Sequence, residues 1–278
     1  MGVVAGVINT LAGGGSLITL PVLLLLGLSP HEANATNRVG VILQSVSGLF
    51  GVWRGARVAE RSSESAESQG ITGVREGREA LEAQNLTGAR EVGELAPPNY
   101  SRIFWRYIGP PVVGAALGAY CATLIDANAM RWSILAAMVL MLVLLLIEPN
   151  RWLRESEEPD TGSLWGPTAL IAVGFYGGFV QAGVGVLLLA ALVLGCGRTL
   201  IQANVLKLWI VLIGTVPALA VFIYYDQVRF APGFALAFGQ MIGAYLAGHY
   251  VSRIPNAQVW IRRLLIAVSV IAIVRLLW

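Results

Sequence analysis

The sequence predicts an all-α polytopic membrane protein, with about eight transmembrane helices in two repeated four-segment halves and glycine-broken first and fifth helices. Three observations predict it. Of the 278 residues, 56% are apolar and only 13% charged, and mean hydropathy is +0.70. Soluble domains carry about 25% charged residues. This chain cannot cover a globular surface with polar groups, which excludes a soluble enzyme, a nucleic-acid-binding domain and a disordered protein. The apolar residues also gather into runs near the ~20 residues that cross a bilayer. Finally, the chain repeats itself at a constant spacing of 170 residues.

Eight apolar segments stand at about 2–28, 33–53, 103–125, 130–147, 164–196, 203–225, 230–252 and 261–277. β-Barrel strands would be ~10 residues long with alternating polarity. These segments are longer and uniformly apolar, so they read as helices. Trp53, Trp105, Trp132, Trp152, Trp165 and Trp260 fall near segment ends, as in an interfacial aromatic belt. Residues 54–102 interrupt the pattern with seven Arg and eight Glu. Low hydrophobicity predicts a mobile aqueous loop there, with a charged surface helix over 74–84. The domain reading is 1–147 as the first half, 148–163 as a linker and 164–278 as the second half.

The repeat aligns Gly13 with Gly183, Gly15 with Gly185, Gly27 with Gly197, Ala33 with Ala203 and Asn34 with Asn204. From Ala12 to Asn34, eight of 23 positions are identical without a gap. A second match joins "GAALGAY" at 114–120 to "GAYLAGHY" at 243–250, and "NAMRW" at 128–132 to "NAQVW" at 256–260. Internal duplication with a site at the repeat interface is typical of secondary transporters. Four full spans per half would make the repeats parallel. Re-entrant first and fifth segments would invert them, and the sequence leaves both open.

Each half opens on a glycine cluster inside an apolar segment. Gly13, Gly14 and Gly15 stand in a row, and each glycine costs a helix about 1 kcal/mol relative to alanine. The clusters therefore predict breaks, the second at Gly183 and Gly185. A half-helix starting near Ser16 or Val186 would point free N–H groups and a positive dipole end into a site, which suits an anion. Close helix packing is the competing role for such glycines, and it is the one assigned to Gly114, Gly118, Gly243 and Gly248.

Lys207 is the single lysine of the chain, lies five residues into the sixth segment and aligns with Asn37. An intramembrane ammonium is a functional feature by default, here a point charge for an anion, with snorkelling to the interface as the alternative. Arg38 reads as interfacial. Asn34 and Asn204 begin segments two and six, where they would cap those helices or donate to substrate. Gln181 and Asn37 add uncharged donors. Lys207→Ala is expected to lower transport while leaving the fold intact. The candidate substrate-binding set is thus Gly13, Gly14, Gly15, Ser16, Asn34, Asn37, Gln181, Gly183, Gly185, Asn204 and Lys207. His249 reads as a packed or interfacial residue. The sequence holds no Ser-His-Asp set, paired carboxylates, Walker loop or zinc spacing, and Cys121 and Cys196 form no framework. It therefore predicts no enzyme, no metal and no cofactor.

The motifs "AGVINTLAGGGSLITLPVLLLLGLSPHEANATN" and the degenerate "GGFVQAGVG…IQANVLK", with "GAALGAY" and "GAYLAGHYVSRIP", resemble the sulfite exporter TauE/SafE family. The resemblance covers nearly the whole chain except the loop at 57–99. It implies a helical membrane carrier for sulfur-containing anions such as sulfite, sulfoacetate or thiosulfate, and it marks Gly13, Gly15, Pro21, Gly27, Ala33 and Thr36 as motif positions. Two departures stand out. Only 12 residues precede Gly13, against 19 from Leu164 to Gly183, so a span starting at Met1 would be incomplete. The charged loop also reads as an insertion.

The leading expectation is a secondary carrier exporting a small, sulfite-like anion across the inner membrane. The alternatives are uptake of a sulfur anion or organic acid, an anion channel, or a non-transporting scaffold. The partners expected are the anion and the lipid bilayer, without nucleic acid; a homo-oligomer is compatible with the sequence. Eight full spans put twelve Arg on the side of the termini and six on the other, which predicts cytoplasmic termini.

Overall fold

The computed structural model describes residues 1–68, 101–146, 165–250, 263, 266–267, 269–271 and 273–274. Among them the ordered structure is helical, with no strand. The chain runs α1 (Gly2–Ala12), α2 (Ser16–Leu25), α3 (Pro30–Ser68), α4 (Ser101–Leu124), α5 (Ala127–Leu146), α6 (Trp165–Phe179), α7 (Val184–Leu194), α8 (Leu200–Tyr224) and α9 (Phe230–Tyr250). Residues 263, 266–267, 269–271 and 273–274 are also helical, within the eighth apolar segment. Among the described residues, four helices contain stretches long and apolar enough to cross a bilayer, at Trp105–Leu124, Ala127–Leu144, Gln202–Tyr224 and Phe230–His249. Large apolar side chains such as Phe234, Phe238, Leu117 and Leu140 face outward, as lipid-facing residues do. This is a polytopic membrane fold.

The first and fifth segments are broken at their glycines, and the breaks are reversals. Gly166 lies in the first turn of α6, and a Cβ placed on it would lie 2.8 Å from the carbonyl oxygen of Gly195, just past the end of α7. The start of α6 and the end of α7 are therefore neighbours. In the first half, Leu236 touches Gly2 at the start of α1 and packs with Leu23 near the end of α2. Gly15 lies against Ala5 and Asn9 of α1, so α2 begins by folding back. Helices α1, α2 and α7, of 10 or 11 residues, span only about 15–17 Å, and α6, of 15 residues, about 22 Å, all short of a full membrane. Each half thus opens with a re-entrant hairpin in place of a kinked span. Of the two topologies open at the level of sequence, the geometry selects the re-entrant one. A hairpin followed by three crossings inverts the second half relative to the first.

The halves are interlocked. Gly243 of α9 packs on the backbone of Val3 and Val7 in α1, while Gly114 and Gly118 of α4 pack on the backbone of Ile171, Phe175 and Phe179 in α6. Each hairpin therefore lies on a helix of the opposite half, through the glycines that the sequence assigns to packing. Gly248 likewise packs on Gly48 and Gly51 of α3.

Three local expectations need correction. Helix α3 continues through the polar residues 54–68, where a loop was expected. Once the apolar part of a helix is anchored, each further residue adds a hydrogen bond without a new nucleation cost. The expected helix over 74–84 lies outside the described residues. The other two concern Asn34 and Asn204. Helix α3 starts at Pro30 and α8 at Leu200, so neither asparagine is a cap. Thr199 caps α8 instead, its Oγ1 accepting from the Gln202 N–H at 3.2 Å.

At the N-terminal end of α3, ahead of its apolar segment, Glu32 accepts from the Ser29 N–H at 2.8 Å and from Arg229 Nε at 2.7 Å. Those contacts, the Ser29 backbone bond foremost, hold the Glu32 carboxyl below its ordinary range. A depressed folded-state pKa adds stability above the unfolded value, and that stability fades as pH falls through the folded one. Glu32→Gln is expected to cost under about 1 kcal/mol at neutral pH, because the pair is exposed. Thermal unfolding followed down to acidic pH should show the difference between wild type and variant shrinking as the carboxyl protonates.

Candidate functional site

The two hairpin tips meet. A Cβ on Gly13 would stand 2.4 Å from the Cα of Gly185, and one on Gly185 would stand 2.3 Å from the Cα of Gly13. Only glycines permit that approach. Gly13 (φ 73°) and Gly183 (φ 67°) also occupy the left-handed region that turns the chain. The remaining glycines of the set are spent locally. Gly15 donates its N–H to Asn9 Oδ1 at 3.2 Å, the Gly14 carbonyl accepts from Leu17 N at 3.0 Å, and Gly183 packs on the side chain of Met141.

A reversal in hydrocarbon leaves helix-end carbonyls that must find donors inside the protein. Here the donors come from the opposite half. At the end of α1, the Thr10 carbonyl accepts from Lys207 Nζ at 3.0 Å. At the end of α6, the Gly177 carbonyl accepts from Arg38 Nη1 at 3.1 Å, the Gly178 carbonyl from Arg38 Nη2, and the Phe179 carbonyl from Asn34 Nδ2 at 2.7 Å. A cation at the negative end of a helix dipole is also electrostatically favourable. The arrangement is a pseudo-symmetric exchange: α8 of the second half holds α1, and α3 of the first half holds α6.

Lys207 also donates to Asn204 Oδ1 at 2.6 Å. It is buried to 1% exposure and does not snorkel. Arg38 is equally buried, at 1%, with its guanidinium 4.7 Å from the Phe222 ring centroid, so the interfacial reading of Arg38 does not hold. The signal was present in the repeat, since Arg38 adjoins Asn37, the residue aligned with Lys207. Among the described residues, no acidic side chain is buried beside these two cations.

Behind the first tip, Asn37 donates to Ser16 Oγ at 3.2 Å and accepts from Thr19 Oγ1 at 2.5 Å. The three side chains tie the start of α2 to α3. Behind the second tip, Gln181 holds a strained backbone (φ 62°) and donates from Nε2 to Thr215 Oγ1 at 3.1 Å. There a cavity of about 30 Å³ opens, lined by Arg38, Gln181, Thr215, Gly174, Gly177 and Pro111 among others. Arg38 Nε and Gln181 Oε1 are buried without a hydrogen-bond partner. The expected set therefore separates into five places: the Gly13–Gly185 crossing, the Ser16–Asn37 tie, the Asn204–Lys207 tie, Asn34 at the Phe179 carbonyl, and the cavity at Gln181. Arg38 and Thr215 were missing from that set.

The sulfite exporter TauE/SafE family profile matches residues 1–62 and 88–276. This chain belongs to the sulfite exporter TauE/SafE family. The gap in the match, residues 63–87, falls inside the charged segment that reads as an insertion. Curated relatives of this family member include the probable membrane transporter protein YfcA of Escherichia coli K12, 27% identical over 278 residues, covering 99% of this chain and 86% of the relative. The probable membrane transporter protein ORF9 of a Sinorhizobium species is 25% identical over 275 residues, covering 99% of this chain and 88% of that protein. No solved structure matches.

Proposed function

We propose that this chain is a secondary membrane transporter that exports a small sulfur-containing oxyanion such as sulfite. The observation that carries the reading is the pair Arg38 and Lys207. One comes from each half, both are buried at the hairpin ends, and no buried carboxylate among the described residues answers them. Buried charges are costly until paired, and an anion passing between the halves supplies the missing partner. The family and the names of the relatives support transport.

In this reading the meeting tips form the barrier, and Lys207 and Arg38 draw the anion to it. Gly13, Gly14, Gly15, Gly183 and Gly185 give close access to backbone, while Ser16, Asn34, Asn37, Gln181 and Asn204 position the tips or replace lost hydration. Alternating access shifts one half against the other. The re-entrant hairpins also revise the orientation. Among the described residues, Arg54, Arg57, Arg106, Arg198 and Arg263 then lie on the side opposite the N-terminus, and Arg131 and Arg229 on the N-terminal side. The positive-inside rule favours the arginine-rich side as cytoplasmic and the N-terminus as external, where the count over eight full spans favours cytoplasmic termini. With the inside negative, each negative charge leaving gains about 2.3 kcal/mol per 100 mV, so export runs downhill without a coupled ion.

Proteoliposome flux tests this. Sulfite efflux is expected to saturate, to speed up when the interior is negative, and to be inhibited by thiosulfate more than by acetate. Unsaturable, single-channel conductance would replace the carrier with a channel, and no flux of any of these anions would end the proposal.

A further inference from the structure

The transport reading names Arg38 and Gln181 but gives the cavity behind the second tip no defined ligand geometry. Its one fixed charge is Arg38, whose two terminal nitrogens are committed to the Gly177 and Gly178 carbonyls while Nε–H is unpartnered. Opposite it stands the Gln181–Thr215 pair. As oriented, Gln181 Nε2 donates to Thr215 Oγ1, which leaves Gln181 Oε1 buried and unpaired. Rotating the amide by half a turn exchanges the two: Thr215 donates to Oε1, and the amide N–H groups become the unpaired, ligand-ready atoms. Which way an amide points is set by its hydrogen bonds. In the rotated orientation the cavity-lining residues offer one donor from Arg38 and a second from the Gln181 amide.

The volume fits that count. About 30 Å³ holds roughly two water-sized atoms, at 10–15 Å³ each. Two donors, one positive charge and room for two oxygens match the O–X–O edge of a small oxyanion. Gln181 is also a non-glycine residue held at φ 62°, and such strain gathers at ligand sites. Gly174 and Gly177 line the cavity, and added side chains there would meet Pro111 and Val184, so little growth is tolerated.

We infer that Arg38, Gln181 and Thr215 form a seat for one edge of a small, singly charged inorganic oxyanion, at the second hairpin tip. The seat rests on the proposed anion transport and gives it a location. It is one-sided: by the 170-residue spacing, Ser45 and Leu11 stand where Thr215 and Gln181 do, and Leu208 stands where Arg38 does. The first tip therefore lacks the same charge and amide. Lys207 there is occupied by Thr10 and Asn204.

The test uses the full chain in detergent, with sulfite and sulfate as probes and thermal unfolding as readout. In mildly acidic buffer, where sulfite is mainly the singly charged hydrogensulfite, wild type is expected to gain stability with sulfite, saturably, and more weakly with the doubly charged sulfate. Gln181→Glu, nearly isosteric, installs the missing counter-charge beside Arg38. It should unfold at the same temperature as wild type or higher without anion, yet lose the sulfite-dependent gain and sulfite flux. Thr215→Val should raise the half-saturating sulfite concentration by about 10-fold, the worth of one hydrogen bond to a charged group. A sulfite gain that survives in both variants overturns the seat while leaving anion transport standing. A wild type that no anion stabilises, and that transports none, overturns both.

Discussion

Lys207→Met is expected to reduce sulfite flux by about 10-fold or more and to destabilise the fold. Methionine keeps most of the length and apolar stem of lysine but carries no charge. It removes one of the two buried cations that the transported anion would meet. Hydrogen bonds to charged groups are worth about 1.5–3 kcal/mol, and 1.4 kcal/mol is tenfold in affinity. The stability effect follows from the Thr10 carbonyl at the end of α1, which loses the ammonium that bonds it at 3.0 Å. An acceptor left unpaired in a buried site costs about 1–3 kcal/mol. The sequence alone predicts an intact fold for a Lys207 variant, and the Thr10 bond is the reason to expect otherwise. Flux assays and thermal unfolding on the same preparation separate the two effects. A variant that is less stable but transports normally would leave Lys207 as a strut and take it out of the anion path.

The second large effect belongs to the tips. Gly13→Val should destabilise the protein by about 2–5 kcal/mol, combining an L-residue in the left-handed region with overpacking. Its Cβ would meet the Gly185 Cα at 2.4 Å, and backbone cannot yield as a flexible side chain can. Gly27→Val supplies the comparison. Gly27 also has positive φ, at 88°, but nothing lies within 4 Å of its would-be Cβ. It should show the conformational cost alone, about 1–2 kcal/mol. Measured by thermal unfolding, a Gly13→Val loss no greater than that of Gly27→Val would mean that the tips are free to part without consequence. Flux adds a second reading, because forced separation of the tips should abolish transport or make it leak.

The same two residues show how far sequence reaches. The breaks were legible because three consecutive glycines, and a second glycine pair 170 residues on, are poor helix formers in an otherwise apolar run. Packing by Gly114, Gly118, Gly243 and Gly248 was legible for a related reason: small residues recur where helices approach in membranes. Lys207 stood out because it is the one lysine in the chain. Asn34 was singled out by the repeat, but its partner, the Phe179 carbonyl 145 residues away, could not be read from spacing.

Arg38 was misplaced for a physical reason. A basic residue close to the start of an apolar segment has two outlets, the interface or the protein interior, and the local sequence is the same for both. What decides is whether unpaired carbonyls wait nearby, and those belong to α6 in the other half. Thr215 was one of several hydroxyls in the spans until Gln181 and Arg38 gathered around the same cavity.

Composition and period by themselves determined that this chain is helical, membrane-embedded, duplicated and broken twice, since those properties are local: they follow from apolar length, glycine cost and self-similarity. Only the tertiary structure decided that the breaks are reversals, that their tips touch at Gly13 and Gly185, and that each is held by a cation from the opposite half. A glycine break permits both a kink and a turn at little difference in local energy. The choice between them is made by which distant carbonyls and side chains can satisfy one another once the two halves interlock.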